Sequence, residues 1–171
     1  MTTEQLYLFS GLYIVALLAV AFFTRATMRR IGGALAGAAV FSAVALAADA
    51  LGEKLGWWRM TIWETPILPV VYLCFVVSIT PIYLVTWRVT RRFGWRGLAV
   101  AVVLLTVIGP PRDYAYVASF PEWGNYAPGI APVLAIAGIY AVMVPLGHAV
   151  MRQVAGPPGT DRLLRRPWET T

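Results

Sequence analysis

Carboxylates and aromatics are the residues in this sequence best suited to chemistry, and they occur together. Of eight acids, Asp49, Glu53 and Glu64 bracket Trp57, Trp58 and Trp63, while Asp113 and Glu122 are interleaved with Tyr114, Tyr116, Phe120, Trp123 and Tyr126. A carboxylic acid removed from water holds its proton and can act as a general acid, while a neighbour kept anionic by Arg112 or Arg59 can act as a base or stabilise positive charge. Aromatic faces attract cations through their quadrupole. The set is equipped for carbocation chemistry on a lipid-soluble polyene, and equally for binding a quinone or prenyl lipid without reaction.

The elements that position these groups follow from composition. The chain has 171 residues, 59% hydrophobic and 13% charged, against about 25% charged in an ordinary soluble domain. Its mean hydropathy is +0.69. Apolar runs at Leu6–Thr24, Ile31–Ala48, Thr65–Trp87, Gly97–Ile108 and Tyr126–Met151 predict five membrane helices. The fourth is short, because Pro110-Pro111 is expected to end it. The fold class is therefore all-α, a polytopic bundle over 1–153. A Gly/Pro/Arg-rich tail follows over 154–171, with Ala155–Gly159 reading as a disordered linker.

Basic residues collect after spans one, three and five: Arg25, Arg29, Arg30, Arg88, Arg91, Arg92, Arg96, Arg152, Arg162, Arg165 and Arg166. The other side has only Lys54, Arg59 and Arg112. This bias places the amino terminus outside and the carboxyl terminus in the cytoplasm of a multi-pass cell-membrane protein. It also explains the net charge of +6 without nucleic acid, for which no role is expected.

Within the second helix, Gly33 and Gly37 form a GxxxG spacing that allows close helix approach, either inside the bundle or in an oligomer. Ala34, Ala38, Ser42, Ala45 and Asp49 share one face, which aims Asp49 at other helices. Structural alternatives stand beside the chemical ones. The tryptophans and tyrosines suit an interfacial belt, Arg112 suits an ion pair with Asp113 or Asp49, and Glu64 suits the first turn of the third helix. Cys74 is a packing residue, and the lone His148 is a satisfied or solvent-facing side chain near the inner end of the fifth helix. No phosphate-binding loop or dinucleotide fingerprint occurs, and neither a metal nor a cofactor is expected.

Asp49, Gly56-Trp57-Trp58 and the run from Leu68 to Val77 resemble the small integral-membrane lycopene cyclase domain, over roughly residues 37–80. Val71 and Tyr72 stand where that family carries a glutamate pair. Ile62-Trp63-Glu64 is similar to the Trp-Glu element of integral-membrane meroterpenoid cyclases, which usually have seven spans and protonate an alkene or epoxide on a prenyl chain. That resemblance implies Glu64 as the acid and Asp113 as the second carboxylate.

The resulting expectation is an intramembrane terpenoid cyclase or isomerase. Glu64 or Asp113 donates the proton with Asp49 as partner, and Trp57, Trp58, Trp63, Tyr114 and Arg112 line the substrate path. The alternative is a non-catalytic membrane protein that binds a lipid or quinone, or stabilises a partner, with the acids in structural ion pairs.

Overall fold

The computed structural model describes residues 3–61 and 68–160. Among these, five long helices, α1 (Thr3–Thr24), α2 (Met28–Lys54), α3 (Leu68–Phe93), α4 (Trp95–Ser119) and α5 (Ile130–Ala155), alternate in direction. All five are long and apolar enough to cross a membrane. Two short strands, β1 (Trp58–Met60) and β2 (Gly124–Tyr126), come from the α2–α3 and α4–α5 connections. They pair antiparallel, Trp58 opposite Tyr126 and Met60 opposite Gly124. This ribbon covers one end of the bundle. Arginines crowd the other, where α1 meets α2, α3 meets α4 and α5 ends.

Helix α2 is central, packed on both α3 and α5. Its glycines explain the α5 contact. A Cβ on Gly37 would strike the carbonyl oxygen of Gly147, and one on Gly33 would meet Ala155 and Met151. The GxxxG face is thus occupied within the chain, and the oligomer contact expected there would require α2 and α5 to separate. Ala34, Ala38 and Ser42 are fully buried along the same helix. Tyr83 on α3 closes the centre, donating to the Met143 carbonyl at 2.9 Å and packing on Gly147. Helix α1 lies mainly on α3 and exposes Leu8, Leu12, Val15, Leu18 and Phe22.

Two boundaries differ from expectation in ways that move functional groups. Helix α2 runs on to Lys54, so Asp49 lies inside it instead of at its end. Helix α4 continues through Pro110-Pro111 to Ser119. Each proline deletes one backbone donor and crowds one turn, a local loss that a helix held by neighbours tolerates. Gly109 provides the hold, since the ring of Tyr140 on α5 occupies the space a Cβ would take there. At the arginine end, Arg30 donates to the carbonyls of Gly156 (2.6 Å) and Pro157 (2.9 Å) and lies 5.2 Å from the Trp87 ring. The start of the stretch expected to be a disordered linker is therefore tied to α2, while residues 161–171 fall outside the described ones.

Candidate functional site

Beneath the ribbon lies a cavity of about 280 Å³ with walls from all five helices. Asp49 and Ala45 enter it from α2, Cys74, Ser78 and Ile82 from α3, Arg112, Asp113 and Tyr116 from α4, Tyr140 from α5, and Trp58, Trp123 and Tyr126 from the covering segments. Counting back from the ribbon ends of their helices at 1.5 Å per residue, Asp49 sits about 8 Å deep, Arg112 about 10 Å and Tyr140 about 15 Å. Continuation of α4 through the proline pair sets the depth of Arg112 and Asp113. They ride a helical turn inside the bundle and not a loop above it.

Asp113 is fully engaged. Arg112 donates to its Oδ1 from Nε at 3.0 Å and from Nη2 at 2.6 Å. Nη2 also donates to the Tyr140 hydroxyl at 2.6 Å, and that hydroxyl donates in turn to Asp113 at 3.1 Å. The arrangement is a closed ring of cation, phenol and anion joining α4 to α5. Charge-assisted hydrogen bonds of this kind are about twice as strong as neutral ones. Both members still border the cavity, with side-chain accessibility of 47% for Arg112 and 20% for Asp113.

Asp49 presents a contrast. Its backbone carbonyl accepts from Trp58 Nε1 at 2.9 Å, but among the described residues no group donates to its carboxyl. The indole of Trp58 reaches this position because α2 has Gly52, where a Cβ would collide with the ring. Trp58 then meets Tyr126 edge-on at 6.0 Å, and Tyr114 stacks on Tyr126 at 4.4 Å. The Tyr126 phenol is pushed above the usual tyrosine range, first by burial and then by the negative charge of Asp113 and Asp49. Both carboxyls therefore act on the same ring of the cover.

On the α1 side, Tyr13 and Tyr116 hydroxyls meet at 3.2 Å, and Phe9 packs edge-on against Phe120 and Trp123. Gln5 donates to Glu122 at 2.8 Å, and this bond holds the exposed Glu122 carboxyl below its ordinary range. Glu122 serves the cover and does not enter the cavity.

Of the site residues expected from sequence, Asp49, Arg112, Asp113 and Trp58 line one cavity. Trp63 and Glu64 lie outside the described residues. Trp57 and Tyr114 are not on the cavity wall. Trp57 precedes β1, which begins at Trp58. Two positions along a helix differ by about 200°, which turns Tyr114 away and Tyr116 inward. Sequence reasoning missed Tyr140, the phenol of the ring, whose signal is a single polar aromatic in the apolar run from Ile130 to Leu146. It also missed Cys74, Ser78 and Ile82, which share one face of α3. His148 departs from expectation too. It is 2% exposed, and both ring nitrogens lack a partner among the described residues.

No protein-family model, curated protein or solved structure matches the chain. The resemblance to membrane cyclases therefore rests on the short motifs alone.

Proposed function

We propose that the protein is an integral-membrane enzyme that cyclises or isomerises a lipid-soluble isoprenoid, with Asp49 as the acid. One observation carries this reading: two carboxyls share an aromatic-walled cavity, one provided with the donors an anion needs and the other, among the described residues, with none. Pairs of acids placed in unequal environments divide the roles of acid and base. Asp113 is the fixed anion, and Asp49 is the group able to carry a proton and release it.

The chemistry balances without an oxidant or cofactor. The proton of Asp49 bonds to one alkene carbon through the π pair, leaving the O–H pair on Asp49 as carboxylate and a cation on the more substituted carbon. A second π pair can close a ring onto that cation. Loss of an adjacent proton then forms a new double bond and returns the proton to Asp49. With an epoxide, the proton goes to oxygen and the C–O bond breaks to the same cation. Trp58, Tyr116, Trp123 and Tyr126 line the space in which the charge develops, and Asp113 offers an anion. The arginine-rich end is assigned to the cytoplasm of the cell membrane.

A second reading is a binding protein without turnover. The observation favouring it is the self-contained ring of Arg112, Asp113 and Tyr140, which ties two helices as a structural ion pair would. Expression with prenyl and epoxyprenyl substrates, followed by mass spectrometry of the extracted lipids, separates the two. The enzyme reading expects cyclised or isomerised product, reduced at least a hundredfold in Asp49→Asn, a loss within the range for a general acid. Glu64→Gln, assayed in parallel, tests the acid expected from the motif resemblance. Absence of product from every substrate, or unchanged turnover in both Asp49→Asn and Asp113→Asn, overturns it.

A further inference from the structure

The cavity has two boundaries that a lipid-soluble molecule could cross, and they are closed by different means. At the ribbon the closure is largely main chain. Strands β1 and β2 pair from Trp58–Tyr126 to Met60–Gly124, and the Ala127 amide donates to the Trp57 carbonyl at 2.8 Å. The Thr61 hydroxyl reaches the Glu122 and Trp123 carbonyls, and the Trp58 indole is fixed on the Asp49 carbonyl. A molecule entering there would also have to leave the bilayer for water first, against the hydrophobic effect.

The boundary between α1 and α4 is closed by side chains. Helix α1 packs along α3, and Gln5, Phe9 and Tyr13, spaced i, i+4 and i+8 on one face, bridge to the α4 side. Gln5 bonds Glu122 at 2.8 Å, Phe9 meets Phe120 and Trp123 edge-on at 5.4 and 5.3 Å, and the Tyr13 and Tyr116 hydroxyls meet at 3.2 Å. Tyr13 lies about 12 Å below Gln5 at 1.5 Å per residue, at acyl-chain depth. Directly behind it are Val71 and Cys74 of the cavity wall. Lipid tails are as apolar as the rings, so rings parted into lipid lose little, and the Tyr13–Tyr116 bond is the polar contact that resists parting at that depth. At its other end α1 is anchored: Arg25 takes the left-handed conformation (φ 57°), and the Ala26 amide bonds back to the Ala21 carbonyl at 3.0 Å.

From this we infer that the cavity is loaded sideways from the bilayer, through a seam between α1 and α4 that Tyr13 and Tyr116 latch. Helix α1 moves at its ribbon end about the Arg25 turn, while the ribbon stays shut. The inference rests on the reading of the cavity as a site for a lipid-soluble molecule, and not on any reaction at Asp49.

Cys74, the one cysteine of the chain, is a built-in reporter on the cavity wall. The test is the rate of its alkylation in the full-length protein in phosphatidylcholine nanodiscs, by dodecyl maleimide dissolved in the bilayer and by a sulfonated maleimide confined to water. The bilayer reagent is expected to react at least tenfold faster. Its rate should rise at least threefold in Tyr13→Phe and about twofold in Gln5→Ala, both of which remove bonds across the seam, and change less than 1.5-fold in Ala127→Pro, which removes a ribbon bond. Faster reaction from water, acceleration by Ala127→Pro beyond that by Tyr13→Phe, or one rate in all four proteins would overturn it. So would a native protein inert to dodecyl maleimide whose denatured chain reacts. The readout involves neither substrate nor Asp49, so a failed seam leaves the cyclase reading standing, and absence of product from every substrate leaves the seam standing.

Discussion

Arg30 and Arg112 are both arginines inside an apolar bundle, and they are used in opposite ways. Arg30, at the end away from the ribbon, is 1% exposed, donates to two backbone carbonyls and lies over the Trp87 ring. Around it the helices touch at glycine, Gly37 on Gly147 and Gly33 on Met151 and Ala155. Arg112, under the ribbon, holds a carboxylate and a phenol but keeps 47% of its side chain accessible beside a cavity. A cation bound to main-chain carbonyls fixes the position of chain segments. A cation bound to polar side chains at the edge of a void fixes their orientation. One end of the molecule is closed by packing and the other encloses a cavity.

If that division holds, substitutions at the two ends should separate stability from function. The largest loss of stability is expected from Arg30→Ala, which removes two charge-assisted bonds to buried carbonyls and should cost on the order of 3 kcal/mol, measured by denaturant unfolding in detergent micelles. Gly37→Val comes next, at about 1–3 kcal/mol for overpacking against Gly147. Neither side chain touches the cavity, so the folded fraction of each variant should still convert a prenyl substrate. A folded Arg30→Ala protein that has lost turnover would show that the two ends are not independent.

Smaller stability effects with larger functional ones are expected under the ribbon. Tyr140→Phe removes the phenol that accepts from Arg112 and donates to Asp113, a loss of about 1 kcal/mol by chemical denaturation. Its effect on turnover should be greater, about tenfold or more, since Asp113 then has Arg112 alone. Equal losses in turnover and stability would make Tyr140 a packing residue. Ile82→Ala enlarges the apolar end, and the preferred prenyl substrate should shift to a longer chain. An unchanged preference would place the chain elsewhere.

The smallest effect belongs to Glu122. Its carboxyl lies below the ordinary range because Gln5 donates to it, so its contribution to holding α1 on the cover is present above the usual glutamate value and is lost as pH falls through the lowered one. Titration of the Glu122 carboxyl by NMR should return toward the ordinary value in Gln5→Ala. No change in that variant would remove the tether.

The packing end was more legible in the sequence than the ligand end. Five apolar runs, the Gly33/Gly37 spacing and the inward face of α2 depend on local periodicity, which a sequence displays directly. The cavity depends on register between distant segments. Nothing local shows that 58–60 pairs with 124–126, that Tyr140 comes beside Gly109, or that of Tyr114 and Tyr116 the second faces inward. Pro110-Pro111 misled for a related reason: proline weakens a helix locally, while the decision to continue was made by α5 packing against it. Asp49 was legible because its face was already marked by Ala34, Ala38 and Ser42.

The central claim is that the Asp49 carboxyl transfers its proton to a carbon or oxygen of the bound lipid. Equilibrating the protein in D₂O, adding a prenyl alkene without an epoxide and measuring carbon-bound deuterium in the product tests it most directly. The account predicts one deuteron at the protonated atom for wild type and product formation at least a hundredfold slower for Asp49→Asn. Product that contains no solvent deuteron, or an Asp49→Asn protein that turns over like wild type, would contradict it.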